Sequence, residues 1–296
     1  MSTVKHVEIP HDASRLPIAI GTLTNRKELG QKIAMVTAYD YPSALAAEKA
    51  GVDIVLVGDS GAMTVLGHSS TLPVTLDEML MLTRAVRRGL KTPLLVGDMP
   101  FGSYESSDQL AVESALRFVK EAGCDAVKLE GGNEASVARA TAIIAAGIPV
   151  MGHVGLTPQS ATALGGYKAQ GRTAVAARRI ADEALALQAA GCFSIVFEAI
   201  PSDVANEIVK HLQIPVIGIG AGPDVDGQVL VFHDLLGIRE GRGPRFVQRY
   251  GDLLDAMADG VAAYAADVRE RRYPAPEHGY SIPDDELQAF KATFTP

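Results

Sequence analysis

Apolar and polar positions along the chain fall into two alternating rhythms. Short, nearly unbroken β-branched and aliphatic runs are separated by longer, alanine-rich stretches whose apolar residues recur every three or four positions. The first rhythm suits a strand buried on both faces, as in a parallel sheet, and the second an amphipathic helix. One unit repeats: an alanine-rich stretch, then Ala-Gly, then a β-branched run that stops on a polar residue. It occurs as Ala50-Gly51 before residues 54–59, Ala122-Gly123 before 126–130 and Ala190-Gly191 before 194–198. Glycine just past a helix is the usual left-handed cap, so each unit reads as helix, loop, strand. Similar runs at 33–37, 94–98, 148–153, 215–220 and 229–233 bring the expected strands to eight. Helix starts are legible between them. Pro42 suits a first turn, Thr75-Leu76-Asp77-Glu78 forms a capping box, and Ser107-Asp108 opens a run with Ala111, Ala115 and Phe118 in register. Eight strands alternating with helices, without an interdomain linker, predict an α/β fold closed as a (β/α)8 TIM barrel.

The two ends depart from this rhythm. Residues 1–27 lack periodicity and are expected to form an N-terminal extension, 28–272 the barrel with a terminal helix, and 273–296 a C-terminal tail. The terminal helix is expected over 246–271, with Leu253, Leu254, Met257, Val261 and Tyr264 turned inward. Tyr273-Pro274-Ala275-Pro276 would stop it, and a last short helix is expected at 284–291.

Composition narrows the function classes. A hydrophobic fraction of 47% with 21% charged residues is that of a globular chain with a large core. A formal charge of −8 argues against nucleic acid or an anionic membrane as partner. Two basic stretches, 84–91 and 239–245, carry no interleaved aromatic residues and read as solvated surface charge. Cys124 and Cys192 each follow Ala-Gly at a strand entrance, as small packing residues rather than a disulfide pair. Residues 1–27 hold no apolar signal core, and the expectation is a soluble, cytoplasmic protein.

Catalytic groups of such barrels sit where each strand meets its following loop. Here those strand-terminal residues are Asp59, Asp98, Glu130, His153 and Glu198. Converging carboxylates raise each other's pKa unless a cation sits among them, and oxygen ligands without cysteine favour a hard ion such as Mg²⁺. His153 as a direct ligand would instead favour Mn²⁺, Co²⁺ or Zn²⁺; as a contact to substrate or to another ligand it would not. Lys128 lies two residues before Glu130 on the same strand face, suited either to a substrate carboxylate or to an ion pair with Asp98 or Glu130. Three carboxylates, one lysine and a divalent ion sum to zero charge before an anionic substrate arrives. Ile217-Gly218-Ile219-Gly220-Ala221-Gly222 lacks the third correctly spaced glycine of a dinucleotide fingerprint, so it reads as close backbone approach or tight packing.

Several segments together resemble the ketopantoate hydroxymethyltransferase family. They are Thr37-Ala38-Tyr39-Asp40-Tyr41, Val57-Gly58-Asp59-Ser60, Gly67-His68-Ser69-Ser70-Thr71-Leu72-Pro73-Val74-Thr75 and Val127-Lys128-Leu129-Glu130-Gly131-Gly132. Gly152-His153-Val154-Gly155-Leu156-Thr157-Pro158-Gln159-Ser160, Gly165-Gly166-Tyr167-Lys168 and the run 214–222 follow in order, so the match spans 26–278. The resemblance implies a barrel of the phosphoenolpyruvate/pyruvate-using type. It also implies transfer of a hydroxymethyl group from 5,10-methylenetetrahydrofolate to 3-methyl-2-oxobutanoate, giving 2-dehydropantoate and tetrahydrofolate for pantothenate and coenzyme A biosynthesis. Carried over residue by residue, Asp59, Asp98 and Glu130 would hold one Mg²⁺ per subunit. Asp59, Ser60, Asp98, Lys128 and His153 would face the keto acid, and Glu198 would be the proton acceptor of a Mg²⁺-stabilised enolate mechanism. The resemblance further implies a homo-oligomer, commonly a decamer.

Two rival readings compete. One is a folate-independent keto-acid lyase or mutase on the same barrel; a lyase of that kind would be expected to place a cysteine in a catalytic loop, whereas both cysteines here precede strands. The other is a catalytically silent binding barrel, against which the full set of rim carboxylates argues.

Overall fold

The computed structural model describes residues 15–163 and 165–294. Eight parallel strands close into a barrel in sequence order: β1 (Ile33–Thr37), β2 (Ile54–Val57), β3 (Leu94–Asp98), β4 (Ala126–Lys128), β5 (Val150–Gly155), β6 (Ser194–Glu198), β7 (Val216–Ile219) and β8 (Gly227–Leu230). β8 pairs back onto β1, with Met35 opposite Val229. Nine helices of this unit can be named among the described residues: α1 (Ile20–Glu28), α2 (Tyr41–Ala50), α3 (Gly61–Thr64), α4 (Leu76–Gly89), α5 (Asp108–Ala122), α6 (Glu134–Ala145), α7 (Ala174–Ala189), α8 (Ser202–Val209) and α9 (Phe232–Leu236).

The period of two along each strand sorts side chains between two cores. Ile33, Met35, Ile54, Leu56, Leu94, Val96, Ala126, Met151, Val196 and Ile217 fill the barrel interior, while Val55, Val57, Leu95, Val127, Ile195 and Val216 pack outward against the helices. The caps expected from sequence form. Thr75 and Glu78 complete a reciprocal box at the start of α4, and Asp40 with Ser43 completes another at α2. Gly51 and Gly123 close α2 and α5 at φ 71° and 72°, the left-handed region in which a Cβ would be strained. Both cysteines are unpaired and buried.

Three expectations require correction. Part of the supposed N-terminal extension belongs to the barrel. Leu23 of α1 is wholly buried with the interior residues, Ile18 N donates to Thr92 O at 2.8 Å, and Arg15 and Arg26 each reach Asp53 at 2.9 Å. Burying one leucine contributes about 1.5–3 kcal/mol, enough to fix α1 although a single residue gives no readable period. Residues 1–14 of that extension lie outside the described residues. The eighth strand begins at Gly227 and ends at Leu230, because the apolar run Val231-Phe232 turns into α9 and takes His233 with it.

Contacts also divide the chain after Tyr250, so 251–296 forms a unit of its own. Its helix α10 (Leu253–Arg269) buries no residue, and Met257, Val261 and Tyr264 are 56%, 68% and 57% exposed rather than turned inward. A 3-10 turn at Pro276–His278 and α11 (Asp284–Thr293) complete this unit, in which Tyr264 and Tyr273 meet edge to face at 5.5 Å.

Candidate active site

Strand parity places the chemistry. Asp98, Lys128, His153 and Glu198 share the inward face with Val96, Ala126, Met151 and Val196, and register sets Asp98 beside Lys128 and Glu198 beside Gly155. Asp59 and Glu130 lie two residues beyond Val57 and Lys128, in the loops after β2 and β4. All six line one cavity of ≈ 980 Å³ at the C-terminal ends of the strands. Asp59, Asp98, Lys128, Glu130 and His153 are buried, and Glu198 keeps a side-chain exposure of 16% toward the cavity.

Their contacts divide them into two groups. Lys128 Nζ donates to Asp98 Oδ1 at 2.6 Å and lies 4.0 Å from Glu130 Oε1, while Asp59 N donates to Asp98 Oδ2 at 3.1 Å. On the other side, His153 sits between two carboxylates, with Nδ1 3.5 Å from Glu130 Oε1 and Nε2 3.3 Å from Glu198 Oε2. Burial and the Lys128 charge pull the His153 pKa down, but these two carboxylates outweigh them and push it up to about 9. The two carboxylates thus favour the charged imidazolium form of His153.

Ser60, expected against the substrate, lines the same cavity, and its hydroxyl is 2.8 Å from the Tyr39 hydroxyl. Burial, only partly offset by the Ser60, Thr37 and Thr64 hydroxyls, pushes the Tyr39 phenol up to about 12.

The carboxylates differ in their protonation balance. Burial first, then the charges of Asp98 and Glu130, hold the Asp59 carboxyl well above the usual range. Asp98 is raised by burial and partly rescued by Lys128. Burial also acts on Glu130, but His153, Lys128 and the Gln159 N–H hold its carboxyl below the ordinary value. Four rim carboxylates face two cations, Lys128 and His153, so a divalent cation would restore neutrality and remove the repulsion at Asp59. That donor chemistry fits a hard ion held by Asp59 and Asp98. Among the described residues no three His, Cys, Asp or Glu side chains are gathered as a ready cage, although the charges of Asp98 and Glu130 both act on Asp59. Glu130 is engaged on both oxygens: Oε2 accepts from Gln159 N at 3.0 Å, and Oε1 faces His153.

Gln159 and Tyr104 went unread in the sequence. Gln159 Nε2 donates to Asp59 Oδ2 and to Met99 O, each at 3.0 Å, and its Oε1 accepts from the Tyr104 hydroxyl at 2.6 Å. The same hydroxyl accepts from Glu130 N at 3.2 Å. A neutral amide in a 3-10 turn, Pro158–Ser160, thus fixes two of the acidic side chains, and only its place in the run after His153 hinted at it. Beside Glu198, Ala199 adopts φ 49°, a left-handed conformation that costs an L-residue about 1–2 kcal/mol and turns the chain sharply after Glu198.

The glycine-rich run packs tightly, as expected. A Cβ at Gly220 would lie 2.7 Å from the Phe246 ring, and one at Gly222 2.5 Å from Ser202 Cβ. The basic stretch 239–245 also departs from expectation, because Arg239, Arg242 and Arg245 line the cavity together with Tyr167, Lys168 and Arg172. The other stretch behaves as surface charge, with Arg84 and Arg87 near Glu121 and Asp125 at 3.8 and 3.2 Å.

Comparison with known proteins agrees with this geometry. A solved phosphonopyruvate hydrolase superposes with a TM-score of 0.59 at 14% identity, covering 94% of this chain and 99% of that one. A 2,3-dimethylmalate lyase of the PEP mutase/isocitrate lyase superfamily gives 0.56 at 16% identity, with 94% and 99% covered. At such identities the likeness concerns the barrel alone. Sequence relatives are nearer. A protein of Moorella thermoacetica named 3-methyl-2-oxobutanoate hydroxymethyltransferase is 52% identical over 90% of this chain and 99% of its own length. A mitochondrial protein of Oryza sativa named 3-methyl-2-oxobutanoate hydroxymethyltransferase 1 is 49% identical over 92% of this chain and 77% of its own. The model of the family described as ketopantoate hydroxymethyltransferase matches residues 17–276, and with these relatives it establishes that the chain belongs to that family.

Proposed function

We propose that this chain transfers a hydroxymethyl group from 5,10-methylenetetrahydrofolate to 3-methyl-2-oxobutanoate, giving 2-dehydropantoate and tetrahydrofolate in pantothenate and coenzyme A biosynthesis. The observation that carries the reading is Glu198: a partly exposed carboxylate held by His153 on the wall of a cavity whose opposite group is Asp59, Asp98 and Lys128. Lys128 would pair with the keto acid's carboxylate, and Ser60 would donate to it or to the keto oxygen. A divalent ion such as Mg²⁺, one per subunit, would be held by Asp59, Asp98 and Glu130, and it would supply Lewis-acid polarisation of the keto group.

Glu198 takes the C3 proton, and His153 beside it stabilises the carboxylate and fixes its direction. The C3 electron pair forms the new bond to the donor's methylene carbon as one of that carbon's two bonds to folate nitrogen breaks, one water supplies the hydroxyl oxygen as the second breaks, and the two folate nitrogens take up the proton lost from C3 and one proton of the water. Buried Tyr104 and Gln159 take no proton; they keep Asp59 and Glu130 in place.

Two unpaired, buried cysteines support a cytoplasmic or similarly reducing setting. Among the described residues no helix is long and apolar enough to cross a membrane. Exposed apolar side chains on α10 and α11, including Met257, Val261 and Phe290, support self-association, with a decamer as the family-based expectation.

The test is product formation from methylenetetrahydrofolate, with C3 hydrogen–deuterium exchange of 3-methyl-2-oxobutanoate followed by NMR. Exchange that needs a divalent ion, together with folate-dependent product, is expected. Exchange without product would favour a folate-independent keto-acid enzyme, and no exchange above the metal-only control, with or without folate, would sink the mechanism.

A further inference from the structure

The acidic rim and its substrate occupy only part of the cavity. At ≈ 980 Å³ it lies at the upper end of the roughly 300–1,000 Å³ of cavities that take drug-sized ligands, far more than a small keto acid requires. Away from the acidic rim, the lining turns basic. Lys168 and Arg172 come from the segment between β5 and α7, and Arg239, Arg242 and Arg245 from the segment after α9. Arg239 is paired with buried Asp234. Among the described residues, Lys168, Arg172, Arg242 and Arg245 have no carboxylate partner.

Four unpaired cations around one opening are unusual in a chain of formal charge −8, where acidic partners are abundant. An anion that enters the cavity would relieve their mutual repulsion. The segment that carries two of them is tied down rather than loose. Arg249 Nη2 donates to Gly241 O at 2.5 Å, and the Phe246 ring rests on the backbone of Gly220, which has no Cβ to keep it away. Tyr167 and Phe246 add aromatic faces to the same lining.

We propose that Arg242 and Arg245, with Lys168 and Arg172, form an anion subsite that binds the glutamyl carboxylates of the folate donor while Tyr167 and Phe246 contact its rings. This rests on the hydroxymethyl-transfer reading. Guanidinium groups suit the role because their planar N–H forks match carboxylates in pairs. A tail of several γ-linked glutamates offers more carboxylates than a monoglutamate, so donors with longer tails bind more tightly, and salt weakens that preference.

The test compares wild-type protein with the R242Q/R245Q variant and, separately, with Lys168→Gln, each with Mg²⁺ present. Binding of tetrahydrofolate carrying one or three glutamates is measured by calorimetry at low and high salt, alongside donor KM. Keto-acid C3 exchange without donor reports whether the acidic rim is intact. Wild type should bind the triglutamate about tenfold more tightly than the monoglutamate at low salt, and less so at high salt. The double variant should lose roughly three- to tenfold per arginine toward the triglutamate, the weight of an exposed charge-assisted hydrogen bond, together with its tail-length preference. Lys168→Gln should move in the same direction by a smaller factor.

Wild-type affinity in the variants, no tail-length preference in wild type, or displacement by inorganic pyrophosphate at concentrations where triglutamate does not compete would each overturn the subsite. If the double variant also loses C3 exchange, Lys168→Gln decides, and unchanged triglutamate affinity there overturns it. Wild type that forms product while the variants bind donor normally removes the subsite alone. Wild type that neither binds folate nor forms product removes the transfer reading with it.

Discussion

A methyl group added at Gly155 tests whether the position of Glu198 is set by the barrel wall. Gly155 ends β5 directly opposite Glu198 and has φ +99°, and a Cβ there would lie 2.3 Å from the Glu198 carbonyl oxygen. Ordinary contacts begin near 3.4 Å, so the two strands must part by about 1 Å. That displacement also strains the bond from Leu156 N to Glu198 O, now 2.9 Å. An L-residue at such a φ costs about 1–3 kcal/mol, which in a chain of this size lowers Tm by roughly 3–10 °C. Misplacing a catalytic group by about 1 Å costs on the order of 10²-fold in rate. Gly155→Ala should therefore fold, keep its keto-acid KM because Asp98 and Lys128 stand on other strands, and exchange the C3 proton about a hundredfold more slowly. Gly152→Ala is the control. Its Cβ would meet Leu187 Cδ1 at 2.9 Å, the flexible end of a side chain on the helix side of the same strand. It should lower Tm yet leave exchange nearly intact. Wild-type exchange in Gly155→Ala, or an equal loss in Gly152→Ala, would refute the idea that β5 aims the base.

Gln159→Leu keeps the side chain's bulk but leaves Asp59 Oδ2 and the Tyr104 hydroxyl without their partner. We expect Mg²⁺ affinity to fall about tenfold and exchange by about 10–100-fold, as when the groups supporting a metal site are removed; an unmoved Mg²⁺ titration midpoint would show that Gln159 has no positioning role. Glu48→Gln probes stability at the other end of the barrel. Burial alone would raise the Glu48 carboxyl, but the N–H groups of Lys91 and Thr92, the Thr92 hydroxyl and Arg15 together hold it below 4.5. A depressed folded-state pKa stabilises above the unfolded value, and that contribution is lost as pH falls through the folded value. The wild type should exceed Glu48→Gln by about 1 kcal/mol at neutral pH, after allowance for solvent screening at a half-buried group. The difference should shrink below pH 4.5, and urea titrations at pH 7 and pH 3.5 that give the same difference would refute it.

Much of the site was legible because strand parity is a strict rule. Once Leu94–Asp98, Ala126–Lys128, Val150–Gly155 and Ser194–Glu198 are recognised as strands, the inward sense of Asp98, Lys128, His153 and Glu198 follows from counting by twos. The eighth strand was harder, since Val229-Leu230-Val231-Phe232 is uniformly apolar and the change from strand to α9 leaves no mark in hydropathy. Helix α1 escaped notice because Leu23 is its only fully buried residue. Gln159 escaped because a neutral amide gains importance only from what it touches, and its three side-chain contacts come from residues at least 55 positions away.

The two basic stretches show where composition stops being informative. Both were read as solvated, and the physical difference between them is secondary structure. The run 84–91 lies largely on α4, where helical spacing turns Arg84 and Arg87 toward Glu121 of α5 and the neighbouring Asp125, so each charge finds a partner on the outside of the barrel. The run 239–245 holds Gly241, Gly243 and Pro244, belongs to no helix or strand, and follows β8 and α9 at the end of the barrel where the strands open. A loop there has no fixed outward face, so its arginines turn toward the cavity. The chain's acidic excess then sharpens the contrast: an anionic ligand of the kind proposed would be repelled by the net charge of the chain and attracted at one opening, so its capture would depend on ionic strength.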